Sequence, residues 1–373
     1  MSEQLQNKNV YFITGGGTGG HIYPAIAVAD ELLKNPDNQI FYIGNPLNME
    51  FNIVKSKGYK FLPVKIKGMP RKLGFELPIW LIQLIWATLK SVFYILKYKP
   101  KAIFGTGGYV SAPTLMAAAF FTKTPFMMHD CDAQPGLVTR KLSPYAKAVN
   151  LAFDSASKFI NNKNIFTFGN PIRENFKTIT KITAKENLKL DDKITICIMG
   201  GSQGAQSINN VAAGILKKLS LNNLQIIFQT GKKNYDKTLE LILKTYPNYK
   251  NDKNIIVRPY FDNMAEVLKA SDIVISRAGS LSISEICAVP AASILVPYPY
   301  AAADHQRKNA RYMEEKGASL YIENDELSPN TLYNKIMSIV DNRDLMTSLT
   351  ESARKLSNLN ATEEIADVLK KIG

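Results

Sequence analysis

The stretch NVYFITGGGTGGHIYPAIAVADEL (9–32) decides how the rest of the chain is read. NVYFIT (9–14) has the apolar run of a buried strand, Gly15–Gly20 a tight turn, and residues 24–34 a helical pattern. Glycines let a backbone approach an oxygen-rich ligand closely. A helix that starts there offers unpaired N–H groups and a positive dipole end to phosphate. The string also satisfies G-x-G-x-x-G, the dinucleotide fingerprint, which asks for an acidic residue about 20 positions further on. The second strand ends Tyr42-Ile43-Gly44-Asn45, with no carboxylate, so a nicotinamide or flavin site is disfavoured. A ligand-free turn is the plainer alternative, yet five glycines in six positions exceed what a turn requires.

Working outward, strand patterns recur at QIFYIG (39–44), KFLPVKI (60–66), KAIFG (101–105), PFMMH (125–129), KAVNLAF (147–153) and NIFTFG (164–169). Helical patterns between them imply right-handed βαβ crossovers and a parallel sheet. The series restarts at KITICIM (193–199), which meets a second glycine loop, Gly200-Gly201-Ser202-Gln203-Gly204-Ala205. LQIIFQTG (224–231), NIIVRPY (254–260), SDIVIS (271–276), ASILVP (292–297) and ASLYI (318–322) follow. The expectation is an α/β protein of two Rossmann-like, doubly wound parallel-sheet domains facing an interdomain cleft. The boundary is expected near Gly169-Asn170-Pro171, giving domains 1–170 and 171–360. Ligands in open α/β sheets bind beyond the carboxyl ends of strands, where these loops lie.

His21 closes the first loop at a predicted helix N-terminus. There the dipole favours neutral imidazole, the form a general base needs. The other histidines, His129 and His305, also fall at strand ends or carboxyl-side loops. Gly105-Thr106-Gly107-Gly108-Tyr109 reads equally well as a further oxyanion cradle or a tight turn. Glu285, in the run SRAGSLSISE (276–285), suits a bidentate contact to a ribose diol or simply complements a helix dipole.

The 373 residues carry a net charge of +14, unevenly placed. Residues 1–170 hold 19 basic and 9 acidic side chains, net +10, and residues 171–373 hold 27 and 23, net +4. An anionic partner is therefore expected on the first half. Three well-separated cysteines without CxxC argue against a zinc site and suit a reducing compartment. The N-terminus lacks a signal-peptide pattern. Lys55, Lys57, Lys60, Lys65, Lys67, Arg71 and Lys72 lead into an apolar run containing Ile79, Trp80, Leu81, Leu84, Ile85 and Trp86. Three readings compete: a transmembrane helix, weakened by Pro78, Gln83 and Lys90; a buried domain helix; and an interfacial segment meeting anionic lipid. The interfacial reading alone explains both tryptophans and the cations. No zinc finger, RNP sequence or recognition helix supports a nucleic-acid partner.

Taken together, GGGTGGHIYPAIAVADEL, GTGGYVSAP, GNPIR, GGSQGAQSIN, SRAGSLSISE and DHQ resemble, in order and spacing, the MurG family of peripheral membrane glycosyltransferases of peptidoglycan synthesis. The resemblance spans nearly the whole chain. It implies the GT-B architecture, with a C-terminal helix at about 361–372 returning to the first domain. It implies inverting transfer of N-acetylglucosamine from UDP-N-acetylglucosamine to the 4-hydroxyl of lipid I, forming lipid II at the cytoplasmic face of the membrane. No cofactor or metal ligand set is implied. By resemblance, Thr18, Gly19 and Gly20 contact substrate and His21 is the general base. Arg173 lies at the uridine-nucleotide site and Ser202 contacts the diphosphate. Phe261 offers backbone to uracil, Leu281 and Ser282 line the nucleotide end, and Glu285 holds the ribose. His305 and Gln306 read the donor sugar. One departure stands out: the family's His-Glu-x-Asn is here His129-Asp130-Cys131-Asp132. Asn donates and accepts, whereas ionised Asp only accepts. Other readings are a GT-B enzyme with a different lipid or soluble acceptor, or a nucleotide-binding protein without transfer.

Overall fold

The computed structural model describes residues 8–70, 75–201 and 204–373. The chain divides into two compact units, Met1–Ile172 with Asn360–Gly373, and Arg173–Leu359. The first unit holds β1 (Asn9–Thr14), β2 (Asn38–Gly44), β3 (Lys60–Pro63), β4 (Ala102–Gly105), β5 (Phe126–Asp130), β6 (Ala148–Leu151) and β7 (Ile165–Phe166). They form one sheet in the order β3-β2-β1-β4-β5-β6-β7, every pair parallel. The second unit holds β8 (Thr195–Met199), β9 (Gln225–Gln229), β10 (Ile255–Arg258), β11 (Ile273–Ser276), β12 (Ala292–Leu295) and β13 (Leu320–Tyr321). Its order, β10-β9-β8-β11-β12-β13, is again parallel throughout. All thirteen strand patterns expected from the sequence are present, most of them trimmed at the ends.

The strands are apolar because both faces of a parallel sheet are covered. Successive side chains alternate between the faces. Phe12, Phe41, Ile43, Ile103, Phe126 and Met128 join one core with Tyr94, Ile95 and Leu115. Ile13, Tyr42, Phe104 and Met127 join the other with Ile22, Ala25, Val28 and Leu32 of α1 (Gly19–Leu33). The C-terminal helix (Ala361–Ile372) completes that second core through Ile365, Ala366 and Leu369 and packs on α1. In each sheet the strand order reverses beside its first strand, between β1 and β4 and between β8 and β11. Loops leaving these adjacent carboxyl ends diverge and open a crevice, which places the glycine loops.

The C-terminal helix is thus part of the first unit's core. Leu369→Ala, at a fully buried site, should lower stability by about 2–5 kcal/mol. Urea unfolding followed by circular dichroism checks this; an unchanged midpoint would place the helix outside the core.

Candidate functional site

In the first unit the site grows from two loops leaving paired strand ends, since Thr14 of β1 lies opposite Gly105 of β4. Thr106 is buried between them, its N–H donating to the Thr14 carbonyl at 3.0 Å and its hydroxyl to the His21 carbonyl at 2.6 Å. A Cβ on Gly15 would overlap that hydroxyl, so the close approach requires glycine. The Gly15 carbonyl accepts from the buried Tyr42 hydroxyl at 2.8 Å. Gly17 N–H points inward to Glu50 Oε2 at 3.1 Å. It is therefore not among the amides offered to a ligand. Thr18 is the N-cap of α1 but makes no side-chain cap hydrogen bond, and its carbonyl accepts from His21 and Ile22 N–H at 3.2 Å. The first-turn amides of Gly19 and Gly20 have no intrahelical role, as at any helix start.

His21 is half-buried. Its Nδ1 lies 3.8 Å from Cys131 Sγ, and a Cβ on Gly108 would stand 3.4 Å from its Nε2 and 3.0 Å from its Cδ2. Gly108, at φ +72°, is therefore the floor beneath the imidazole, in a conformation L side chains rarely adopt. This resolves the loop Gly105–Tyr109: Gly107 and Gly108 make room for His21, while Gly105 makes room for Leu115.

His129 lies near the end of its strand as expected, but not as a group offered to a ligand. It lies inside β5, fully buried. Its Nδ1 accepts from Asn150 Nδ2 at 2.8 Å and its Nε2 donates to Asn170 Oδ1 at 2.8 Å. Asn150 also binds the Gly169 carbonyl and the Phe168 N–H. His129 thus ties β5 and β6 to the chain at 168–170. Burial pulls its imidazole down to about 4. Burial pushes the neighbouring Asp130 carboxyl up to about 7, although it accepts the N–H groups of Asp132 (3.3 Å) and Gly136 (3.0 Å). These bonds order the loop carrying Asp132, which is half-buried with Oδ2 3.8 Å from Cys131 Sγ.

In the second unit Arg173 and Glu285 meet directly, Nη2 to Oε1 at 2.8 Å. Glu285 sits in the helix Ser280–Cys287 and is nearly buried. Burial raises its carboxyl pKa, opposed by Arg173. Leu281 and Ser282 occupy the first turn of that helix, both half-buried. Phe261 is buried, with its N–H already donating to Gln229 Oε1 at 2.9 Å. Gln306 Oε1 accepts from Tyr298 N–H at 2.9 Å, and His305 Nδ1 donates to the Ala302 carbonyl at 2.7 Å. Ala303 and Asp304, just before them, both have positive φ (52° and 56°). That strained turn is held by Lys308 on the Ala303 carbonyl and Arg307 on Asp304. Ser202 lies outside the described residues.

Sequence reasoning missed Arg277. It is buried and donates to the Val296 and Pro297 carbonyls, Asn324 Oδ1 and Ser207 Oγ at 2.7–3.1 Å. One guanidinium so gathers segments near the carboxyl ends of β11, β12 and β13 and the start of the helix Gln206–Leu221. Burial lowers it to about 10, still protonated at neutral pH. Its only sequence signal was a cation directly after an apolar strand.

The expected membrane segment forms α3 (Glu76–Tyr98), after α2 (Met49–Ser56). Among the described residues it is the one helix long and apolar enough to cross a membrane. Ile79, Leu81, Ile85 and Trp86 are exposed, Trp86 at 69%. Leu84 is half-buried against the core, and Trp80 Nε1 donates to the Lys67 carbonyl at 2.9 Å. Ile82, Leu89, Phe93 and Leu96 extend the exposed face, joined by Phe75, Phe120 and Phe121. The inward face instead buries Ala87, Thr88 and Ser91, whose hydroxyls bond the Leu84 and Ala87 carbonyls. Lys90 and Lys97 lie over the rings of Tyr94 and Phe93 at 5.8 and 5.7 Å.

Comparison with known proteins adds the following. Residues 11–151 match the glycosyltransferase family 28 N-terminal domain, and residues 195–371 its C-terminal domain. A Thermoanaerobacter sp. (strain X514) protein, named UDP-N-acetylglucosamine–N-acetylmuramyl-(pentapeptide) pyrophosphoryl-undecaprenol N-acetylglucosamine transferase, is 39% identical over 366 residues, covering 97% of this chain and 99% of the relative. A Caldanaerobacter subterraneus subsp. tengcongensis protein of the same name is 37% identical, with coverage of 97% and 99%. The crystal structure of Acinetobacter baumannii MurG superposes with a TM-score of 0.79 at 28% identity, covering 98% of this chain and 99% of that one.

His129 should leave a signature in acid. Neutral and buried when folded, it binds fewer protons than in the unfolded chain between about pH 6.5 and 4. Its contribution to stability is therefore lost as pH falls through that window, at up to about 1.4 kcal/mol per pH unit. His129→Gln should be less stable at pH 8 but lose less on acidification, as read by urea unfolding at both ends of the window. Parallel profiles would mean the histidine is not held neutral.

Proposed function

Because the chain belongs to glycosyltransferase family 28, in its MurG group, we propose that it performs the transfer for which its relatives are named. It is an N-acetylglucosaminyltransferase of peptidoglycan synthesis with the GT-B fold. It moves N-acetylglucosamine from UDP-N-acetylglucosamine to the 4-hydroxyl of lipid I, giving lipid II. The observation that carries this reading is 39% identity along 99% of a relative's length. His21 takes the proton of the acceptor 4-hydroxyl as that oxygen bonds to the anomeric carbon. The bond from that carbon to the diphosphate oxygen breaks, UDP leaves with its electrons, and the configuration inverts. His21 over Gly108 suits this role, and the Gly19 and Gly20 amides with the Thr18 hydroxyl suit substrate oxygens.

The C-terminal unit holds the donor. Glu285, steadied by Arg173, suits the ribose diol. With the Phe261 N–H spent on Gln229, a contact to uracil runs through its carbonyl. Gln306, its carbonyl used on Tyr298, offers its amide N–H2 to sugar hydroxyls, beside His305. Leu281 and Ser282 line the nucleotide, and Ser202 serves the diphosphate. Asp132 faces acceptor hydroxyls as an acceptor only.

The N-terminal unit serves lipid I and the anionic cytoplasmic membrane surface, peripherally. The support is the outward apolar stripe of α3 among lysines; a nucleic acid would not be read by such a face. The helix packs on the core along one side, which suits lying on a bilayer rather than crossing it.

With UDP-N-acetylglucosamine and a lipid I analogue, His21→Ala should lower kcat by about 100- to 10,000-fold with little change in donor KM. Unchanged turnover would remove His21 from the chemistry, and absence of disaccharide from the unaltered protein would overturn the proposed activity. Separately, Trp86→Ser with Phe121→Ser should weaken sedimentation with anionic liposomes severalfold. Equal binding would return α3 to a purely structural part.

A further inference from the structure

Glu50 lies 33 positions from the loop it touches and in no motif of the resemblance. It belongs to the first turn of α2, and its side chain is wholly inaccessible to solvent. Three N–H groups converge on it: Gly17 N–H on Oε2 at 3.1 Å, and Asn45 N–H and Asn48 Nδ2 on Oε1 at 3.2 Å each. A Cβ on Gly16 would stand 2.5 Å from Oε1 and 3.0 Å from Oε2, so the carboxylate backs directly onto the glycine loop. A glutamate that merely complements a helix dipole would point to solvent. This one is used as an acceptor at both oxygens, which an amide cannot match.

The contacts continue beyond Glu50. Asn48 Nδ2 also donates to the Tyr109 hydroxyl at 3.0 Å. The Tyr109 ring lies under Gly17, where a Cβ would come within 3.1 Å of it. Tyr109 directly follows Gly107 and Gly108, which border the His21 imidazole. Tyr42, whose hydroxyl holds the Gly15 carbonyl, is kept protonated by burial and then by the nearby Glu50 charge.

We propose that Glu50 is a positioning residue for the transfer: its buried carboxylate clamps the Gly15–Gly20 loop and, through Asn48 and Tyr109, sets it in register with the glycines beneath His21. This rests on His21 as the base. It assigns Gly17 N–H to the scaffold and leaves substrate to the Thr18–Gly20 end. Glu50→Gln keeps the volume but turns an amide N–H2 toward N–H donors, which must tilt the loop.

Two readouts on the full chain separate the clamp from the activity. Amide hydrogen exchange in residues 13–22 should quicken about tenfold or more in Glu50→Gln, with the rest of the unit unchanged. In the transfer assay kcat should fall about 10- to 100-fold while KM for UDP-N-acetylglucosamine stays within about twofold. Unchanged exchange overturns the clamp, whether or not the unaltered protein transfers sugar. Faster exchange with unchanged kcat overturns its role in the reaction. Gly16→Ala strikes the same contact from the other side, so Gly16→Ala with Glu50→Gln should be no worse than the worse single change. Independent, multiplying losses would overturn the proposal. Asn48→Ala removes the half-buried link to Tyr109 with one of the three N–H groups on Glu50 and should show the same kcat loss at smaller size; no loss would sever Tyr109 from the clamp.

Discussion

Two loops leave the adjacent carboxyl ends of β1 and β4 and run within contact of each other, with Thr106 wedged between the Thr14 and His21 carbonyls. There is no space at Gly15 or Gly16 for a side chain, because a hydroxyl and a buried carboxylate already stand there. Most of the N-terminal site follows from this crowding. α1 begins where the loop can turn, which puts His21 in its first turn, and the second loop gives up its side chains beneath the imidazole. Parallel pairing supplies the strand ends, and hydrogen bonds of the Thr106, Tyr42 and Glu50 side chains then hold the loops.

The C-terminal unit reaches a similar end by different means. There a buried arginine, Arg277, gathers the loops through neutral acceptors, while the Arg173–Glu285 pair readies a carboxylate. Glu285 and the loop carboxylate Glu50 illustrate two uses of burial. Glu285 is held by a cation at one oxygen and stays at the edge of solvent, whereas Glu50 is consumed by backbone and side-chain N–H groups. The first arrangement suits binding and the second suits scaffolding.

α3 is apolar on both sides. Ala87, Thr88 and Ser91 face inward beside Tyr94 and Ile95, with Ser91 and Thr88 bonded to carbonyls of their own helix, while Ile79, Ile82, Ile85, Trp86, Leu89, Phe93 and Leu96 face out. A soluble surface rarely keeps so long an apolar stripe, and the nearby lysines add charge of the sign an anionic bilayer attracts. Trp80 and Trp86, equal in the sequence, part ways here: one is tied to the Lys67 carbonyl and the other stands in the open.

The sequence by itself determined the strand inventory, the two-sheet architecture and the loops that carry the site. These depend on local patterns, namely apolar runs, glycine punctuation and helix periodicity, which neighbouring residues write together. It also placed His21 at the start of the helix that follows the first glycine loop. Only the tertiary structure decided that Arg173 meets Glu285, that His129 is a buried tie to Asn150 and Asn170, that Phe261 has already spent its N–H, and that Glu50 stands behind the glycines. Each of these joins residues at least twenty positions apart in the chain. A hydrogen bond of that kind depends on where folding brings two groups, and no local pattern encodes that distance.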